Sequence, residues 1–144
     1  MAVYVGTVLL VLLILVLFYL LIVFSTTRMS PKVFLRQARD VQILAFSTSS
    51  SAAVMPLTIK TAEERFKVRP SVSQFLIPLG ATINMDGTAL YQGAATIFLG
   101  IPASGIALII GVDRILDMSR TAVNVTGDLT ASLVMDRWTD KNTT

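Results

Sequence analysis

The stretch from Ala2 to Phe24 contains no charged side chain. A transmembrane helix needs about 20 consecutive apolar residues, so this stretch is long enough to cross a bilayer. A signal peptide is the alternative, but it would have basic residues before the apolar region and a small-residue cleavage pattern after it. Neither is clear in this sequence. We therefore predict a membrane protein whose first spanning helix occupies residues 2–24.

Composition supports the bilayer as the solvent for this chain. Of 144 residues, 53% are hydrophobic and 15% are charged, and the mean hydropathy is +0.71. Soluble domains carry about 25% charged residues. The net charge of +3 is small, with Lys and Arg in short loops, so no nucleic-acid surface is predicted. The chain has no Cys and no His, which excludes a Cys/His hydrolase, and we predict that it is not an enzyme.

The second segment has features of a re-entrant hairpin. Basic residues follow the first helix and place this loop in the cytoplasm, because Lys and Arg favour that side of a membrane. The segment from Val41 to Ile59 has serines at its centre, and the residues that follow it, Lys60 to Arg69, are again basic. Both flanks therefore prefer one side, which favours two short helices that enter, turn at the serines and return. A polar linker between helices is the alternative.

Asp86 is the single residue between Ser71 and Val112 that is charged at neutral pH. A carboxylate at membrane depth costs about 2.5 to 3.5 kcal/mol unless it faces a cavity, a cation or a polar partner. Asp86-Gly87 is also a turn signal. We predict a spanning helix over residues 71–99, broken at Asn84 to Thr88, whose freed carbonyl groups coordinate a cation. A turn between soluble strands is disfavoured by the apolar flanks, and a calcium loop lacks its other acidic ligands.

The last segment, Ile101 to Met135, has one polar face. At 3.6 residues per turn, an arc of about 100° contains Asp113, Asp117, Arg120, Thr121, Asn124 and Asp128. A solvated amphipathic surface helix is the alternative. However, the segment begins with apolar residues and must return the chain to a basic tail, residues 136–144, so we predict a third spanning helix and a cytoplasmic tail. Its polar face must then turn toward protein or water.

These residue types predict what such a cavity binds. The guanidinium group of Arg120 is a planar fork suited to a carboxylate, and Asp117, one turn earlier, suits an ammonium group. Thr121 and Asn124 add hydroxyl and amide groups. Asp86 and Asp128, with backbone carbonyl groups, are the oxygen ligands that small cations take. The sequence therefore predicts cation-coupled binding of an acidic solute.

Two long motifs, Pro78 to Gly93 and Asp113 to Asp128, together with the serine-rich tip, resemble the sodium-coupled dicarboxylate and glutamate/aspartate symporter family. The resemblance extends from Ala2 onward and covers part of a family member. It implies a homotrimeric elevator transporter of the cell membrane, with eight helices and two re-entrant hairpins per protomer. Residues 1–144 would be part of its transport domain. The sixth helix would be 2–24, the first hairpin 34–66, the broken seventh helix 71–99 and the eighth helix 101–135.

The resemblance also implies ligands. Arg120 would bind the side-chain carboxylate of the substrate and Asp117 its amino group, which favours aspartate or glutamate over a C4-dicarboxylate. The rest of the substrate would contact Thr88, Thr121, Asn124 and the hairpin tip around Ser50 and Ser51. Sodium, the coupling ion, would bind at three sites: Asp128 with the carbonyl groups of Gly80, Asn84 and Asn124; carbonyl groups near Thr82 with Met85; and Asn84 with Asp86.

The sequence departs from the family in three places. The first five helices are not in this chain, and Gly100 runs directly into Ile101 where the second hairpin, the extracellular gate, is expected. A truncated, non-transporting fragment is therefore an alternative. The arginine that many members place at the first hairpin tip is Ser49, and its alternative position beside the substrate aspartate is Met118. Arg114 is the candidate replacement.

Overall fold

The computed structural model describes the backbone of residues 2–83 and 106–141, and the side chains of residues 3–83 and 114–140. These parts of the chain are helical throughout apart from short connections, so the all-α prediction is confirmed for them. The helices are α1 (Ala2–Thr27), α2 (Pro31–Thr48), α3 (Ser51–Glu64), α4 (Pro70–Ile83) and α5 (Ile106–Lys141).

Helix α1 buries one stripe and exposes an apolar face. The buried residues recur at the spacing of successive helical turns, and they are Tyr4, Val8, Leu12, Tyr19, Leu20 and Val23. The exposed face is also apolar and includes Leu10, Leu17 and Leu21. Among the described helices, the span Val3–Thr27 is the one long and apolar enough to cross a membrane. An apolar outer face suits lipid, since nothing else in the described chain covers it.

Helices α2 and α3 form an antiparallel pair. Pro31 starts α2 at the position where a missing N–H costs nothing. The helix ends at Ser49, whose left-handed φ of 53° breaks the helical path. Ser50 then caps α3, accepting a hydrogen bond from the backbone N–H of Ala53 at 3.2 Å. The rings of Phe34 and Phe66 lie 5.2 Å apart, so the start of α2 meets the end of α3.

Helix α5 is the centre of the fold and packs against each of the other four described helices. It runs parallel to α1. Val16 of α1 lies level with Val123 of α5, and Thr26 near the end of α1 lies level with Trp138 near the end of α5. The main core joins all five described helices, and it includes Leu20, Phe34, Val54, Ile77, Val125, Leu129 and Leu133.

The observed bounds differ from the predicted ones at several ends. Helix α1 continues to Thr27, and the pair α2–α3 covers 31–64 where the hairpin was expected at 34–66. The predicted spanning segment 71–99 is described to Ile83. Helix α5 begins within the predicted segment 101–135 and continues to Lys141, so most of the predicted tail is helical. The predicted break at Asn84 to Thr88 lies outside the described residues.

Candidate functional site

A cavity of about 320 Å³ lies between the α2–α3 tip, α4 and α5. This volume is at the lower end of the range of ligand pockets, about 300 to 1,000 Å³. Its lining comprises Ser49, Ser50, Ser51, Ala52, Ala81, Asp117, Arg120, Thr121 and Asn124. Six predicted substrate residues, from two segments far apart in the sequence, therefore share one cavity.

Helix α5 supplies the charged wall of this cavity. Its four lining residues are spaced by three, one and three positions, which puts them on one face. Arg120 donates a hydrogen bond to the carboxylate of Asp117 and forms an ion pair with it. Their side chains are 17% and 25% exposed. Thr121 and Asn124 are buried, so this face contacts protein and the cavity, not bulk solvent.

The α2–α3 tip supplies the opposite wall, which is made of serines. The Oγ atom of Ser49 is buried and has no hydrogen-bond partner among the described residues. The Oγ atom of Ser50 is engaged in capping α3. A buried hydroxyl group without a partner is costly, about 1 to 3 kcal/mol, so Ser49 is a donor that a bound ligand can satisfy.

Three lining residues were not predicted from the sequence: Ser49, Ala52 and Ala81. A signal for Ala52 was present, because Pro56 lies four residues later inside α3. Proline has no N–H, so the carbonyl group of Ala52 lacks its helical partner at the edge of the cavity. Ser49 was singled out only because an arginine was expected at that position. Ala81 has no polar side chain that would indicate a binding role.

Asp128 and Gly80 are in close contact. Asp128 lies one turn beyond Asn124 on α5 and is only 2% exposed. A Cβ atom built at Gly80 would lie 3.0 Å from the Cγ atom of Asp128 and still closer to its Oδ1 atom. Only glycine therefore lets the backbone of α4 come this near the carboxylate. The geometry brings a buried carboxylate against the backbone of α4 at Gly80.

Of the remaining predicted ligands, only Thr82 lies within the described residues. Thr82 is exposed and its hydroxyl group donates to the carbonyl group of Pro78 at 3.0 Å. Four others lie outside the described residues: Asn84, Met85, Asp86 and Thr88. The side chain of Asp113 also lies outside the described side chains.

The charge on the described cavity wall comes from one pair, Asp117 and Arg120. Arg114, the candidate replacement for the arginine expected at the first hairpin tip, is exposed and is not part of the cavity lining. Met118 is half-buried on the same helix. The described lining therefore has one cation and one anion, each the partner of the other.

A second ion pair fixes the far end of the bundle. Arg69, just before α4, donates from Nε to Asp136 on α5 at 2.7 Å, and its backbone N–H reaches the same carboxylate oxygen at 3.2 Å. The hydrogen bond to Asp136 raises the pKa of the Arg69 guanidinium above its ordinary value. This contact joins the start of α4 to α5, the two helices that bring Gly80 close to Asp128.

Comparison with known proteins identifies relatives. The model of the sodium:dicarboxylate symporter family matches residues 1–100 and 98–138. An excitatory amino acid transporter of Caenorhabditis elegans is 35% identical over 153 residues, covering 75% of this chain and 30% of that relative. Excitatory amino acid transporter 1 of Ambystoma tigrinum is 36% identical, with 75% and 28% covered. The proton/sodium-glutamate symport protein of Bacillus subtilis is 32% identical, with 84% and 39% covered.

The chain spans about a third of the length of these relatives, and the alignments leave some of their positions unmatched. Seventy-five per cent of 144 residues is roughly 108, so an alignment over 153 positions leaves about 45 positions of the relative without a counterpart. The Bacillus alignment, over 170 positions and 84% of the chain, leaves about 49. The two family matches meet at residues 98–100. These findings support the prediction that a segment is missing between Gly100 and Ile101.

Proposed function

Because this chain belongs to the sodium:dicarboxylate symporter family, we propose that it binds an acidic amino acid, aspartate or glutamate, together with sodium, as part of a sodium-coupled symporter. The relatives reported above carry names of amino acid transporters and of a glutamate symport protein, and none of these names is that of an enzyme. The observation that carries the proposal is the shared cavity of the serine tip and the Asp117–Arg120 pair.

The substrate assignment rests on charge complementarity. Arg120 would hold the side-chain carboxylate of the substrate through two parallel hydrogen bonds, and Asp117 would hold its ammonium group. Thr121, Asn124 and the tip serines would contact the main-chain carboxylate, with Thr88 as a further proposed contact. A C4-dicarboxylate has no ammonium group for Asp117, which disfavours it.

The sodium assignment rests on Asp128. A buried carboxylate is paired, hydrogen-bonded or coordinated to a metal, and Asp128 is buried against a glycine backbone. Oxygen ligands of this kind suit a small hard cation. We propose that Asp128 and the carbonyl groups of Gly80, Asn84 and Asn124 hold one sodium ion. Carbonyl groups near Thr82 with Met85, and Asn84 with Asp86, would hold two more.

The membrane arrangement is also proposed. In it α1, α4 with the residues after it, and α5 span the bilayer, while α2 and α3 form a re-entrant hairpin in a homotrimeric elevator transporter. The parallel course of α1 and α5 supports this, because basic residues follow the end of α1 and occur at the end of α5. Both ends would then be cytoplasmic.

Binding by the purified chain tests the proposal. We expect aspartate to bind in sodium chloride and not in choline chloride, and we expect Arg120→Ala to abolish binding. Hydrogen bonds to charged groups contribute about 1.5 to 3 kcal/mol each, so the loss of two parallel hydrogen bonds lowers the affinity by roughly a hundredfold or more. Arg114→Ala is the matched control, since it removes an exposed arginine from the same helix outside the cavity. Unchanged affinity in Arg120→Ala would sink the carboxylate assignment.

The missing internal segment favours a second possibility, a fragment that binds without transporting. Uptake of aspartate into proteoliposomes separates the two. Sodium-dependent uptake would support the symporter, whereas sodium-dependent binding without uptake would support the fragment. Absence of both would leave only the family relationship.

A further inference from the structure

A cleft of about 280 Å³ separates the last turn of α1 from the last turns of α5, away from the cavity described above. It is lined by Ser25, Thr26, Val134, Arg137 and Trp138. We propose that this cleft binds the headgroup of an anionic glycerophospholipid that carries a hydroxyl group, such as phosphatidylglycerol. The inference does not depend on whether the chain transports a solute.

The end of α5 separates its charges onto two faces. Val134, Arg137 and Trp138, spaced by three and four residues, face the end of α1. Asp136 and Asp140 are one turn apart on the other side, where both act on Arg69. Arg137 has no ion-pair or hydrogen-bond partner among the described residues. The cleft therefore has a free cation and no carboxylate in its lining, which is complementary to a phosphate.

The depth of the cleft matches the headgroup region of a bilayer. The apolar span of α1 ends at Thr27, and Ser25 and Thr26 are the two residues just before that end. Trp138 is level with them and 61% exposed. Tryptophan concentrates at membrane interfaces, where its ring contacts acyl chains and its N–H reaches polar groups. A lipid can thus place its phosphate between Arg137 and the indole N–H.

The hydroxyl groups of Ser25 and Thr26 determine which chemical group beyond the phosphate the cleft prefers. Ser25 and Thr26 both donate to the carbonyl group of Ile22, at 3.0 and 2.7 Å. Their oxygens therefore remain as acceptors and favour a headgroup that donates hydrogen bonds. The glycerol headgroup of phosphatidylglycerol has such donors, whereas choline has none.

Trp138 is the only tryptophan of the chain, so its fluorescence reports on this cleft directly. The experiment measures quenching of Trp138 by phosphatidylglycerol with brominated acyl chains, in the detergent-solubilised full chain. Unlabelled lipids then compete. We expect phosphatidylglycerol to compete about tenfold better than phosphatidylcholine, consistent with a charge-assisted hydrogen bond. Phosphatidylmethanol, equally charged but without a headgroup hydroxyl, should be intermediate.

Two variants separate a site from general attraction of anions. Arg137→Gln should remove the preference for phosphatidylglycerol, while Arg36→Gln, which removes an exposed cation from α2, should keep it within about twofold. Ser25→Ala with Thr26→Val should erase only the difference between phosphatidylglycerol and phosphatidylmethanol. The proposal would be overturned if phosphatidylcholine competed equally well, or if Arg137→Gln and Arg36→Gln lost the preference for phosphatidylglycerol equally. Full competition by inorganic phosphate at the same concentration would also overturn it.

Discussion

The close contact of Gly80 with Asp128 makes Gly80→Ala an informative substitution. The added methyl group would lie 3.0 Å from the Cγ atom of Asp128 and closer to its Oδ1 atom, so one of the two helices must shift. Asp128 is buried and lies in the core packing of α5, which leaves its carboxylate little room to move. The substitution therefore changes both the helix packing and the orientation of the proposed sodium ligand.

The expected magnitude follows from two opposing terms. Alanine is favoured over glycine in a helix interior by about 1 kcal/mol. Overpacking of a well-packed site costs about 1 to 3 kcal/mol. Gly80→Ala should therefore lower the free energy of unfolding by about 0 to 2 kcal/mol. Gly6→Ala is the matched control, since nothing lies within 4 Å of a Cβ atom at Gly6, and it should stabilise the chain by up to about 1 kcal/mol.

Thermal unfolding of the purified chain, in sodium chloride and in choline chloride of equal ionic strength, measures both effects. A ligand at 100 times its Kd stabilises a protein by about 2.7 kcal/mol, and at 10 times by about 1.4 kcal/mol. With sodium at about 100 times its Kd, a tenfold loss of sodium affinity in Gly80→Ala would thus halve the sodium-dependent stabilisation. Gly6→Ala should retain the full stabilisation. If Gly80→Ala keeps the full sodium-dependent shift of the melting temperature, the Gly80–Asp128 contact is not part of a sodium site.

Three further substitutions test separate parts of the structure. Ser50→Ala removes the cap of α3 and should lower the free energy of unfolding by about 1 kcal/mol. Ser47→Ala should be nearly neutral, because the exposed hydroxyl group of Ser47 forms a hydrogen bond only within its own helix. Hydrogen exchange at the tip should therefore increase in Ser50→Ala and not in Ser47→Ala. Asp136→Asn should lower the melting temperature more than Asp40→Asn. Asp136 is 14% exposed in its ion pair with Arg69, whereas Asp40 is 54% exposed in its ion pair with Arg65. Equal shifts of the melting temperature would contradict a positioning role for Asp136. Asp86→Asn should weaken the sodium dependence of substrate binding, and if that dependence is unchanged Asp86 is not a cation ligand.

Local patterns in the sequence predicted the elements that approach the cavity. The serines between two short apolar runs predicted a turn, and the structure turns at Ser49 and Ser50. The helical spacing of Asp117, Arg120, Thr121 and Asn124 predicted that they share one face, and all four line the cavity. Both features follow from short-range geometry, which the order of residues specifies directly.

Contacts between distant segments could not be obtained in this way. No spacing rule relates Gly80 to Asp128, because their approach depends on how α4 packs against α5. The ion pair of Arg69 with Asp136, which also links α4 to α5, likewise joins residues far apart in the chain. Similarly, the sequence showed that Ser49 stands where an arginine was expected. It did not show that the hydroxyl group of Ser49 is buried in the cavity wall, since burial depends on the fold around it.

The Asp117–Arg120 pair gives a physical reason for substrate selection under the proposed function. In the structure each group neutralises the other, so the described wall carries no net charge. A ligand must separate the pair and replace both partners, because breaking a largely desolvated ion pair without replacement leaves an uncompensated charge. Aspartate and glutamate carry an ammonium group for Asp117 and a second carboxylate for Arg120. A dicarboxylate replaces one partner only and brings its other carboxylate near Asp117. Asp117→Asn should therefore narrow the difference in affinity between aspartate and succinate, and a competition assay measures that difference directly.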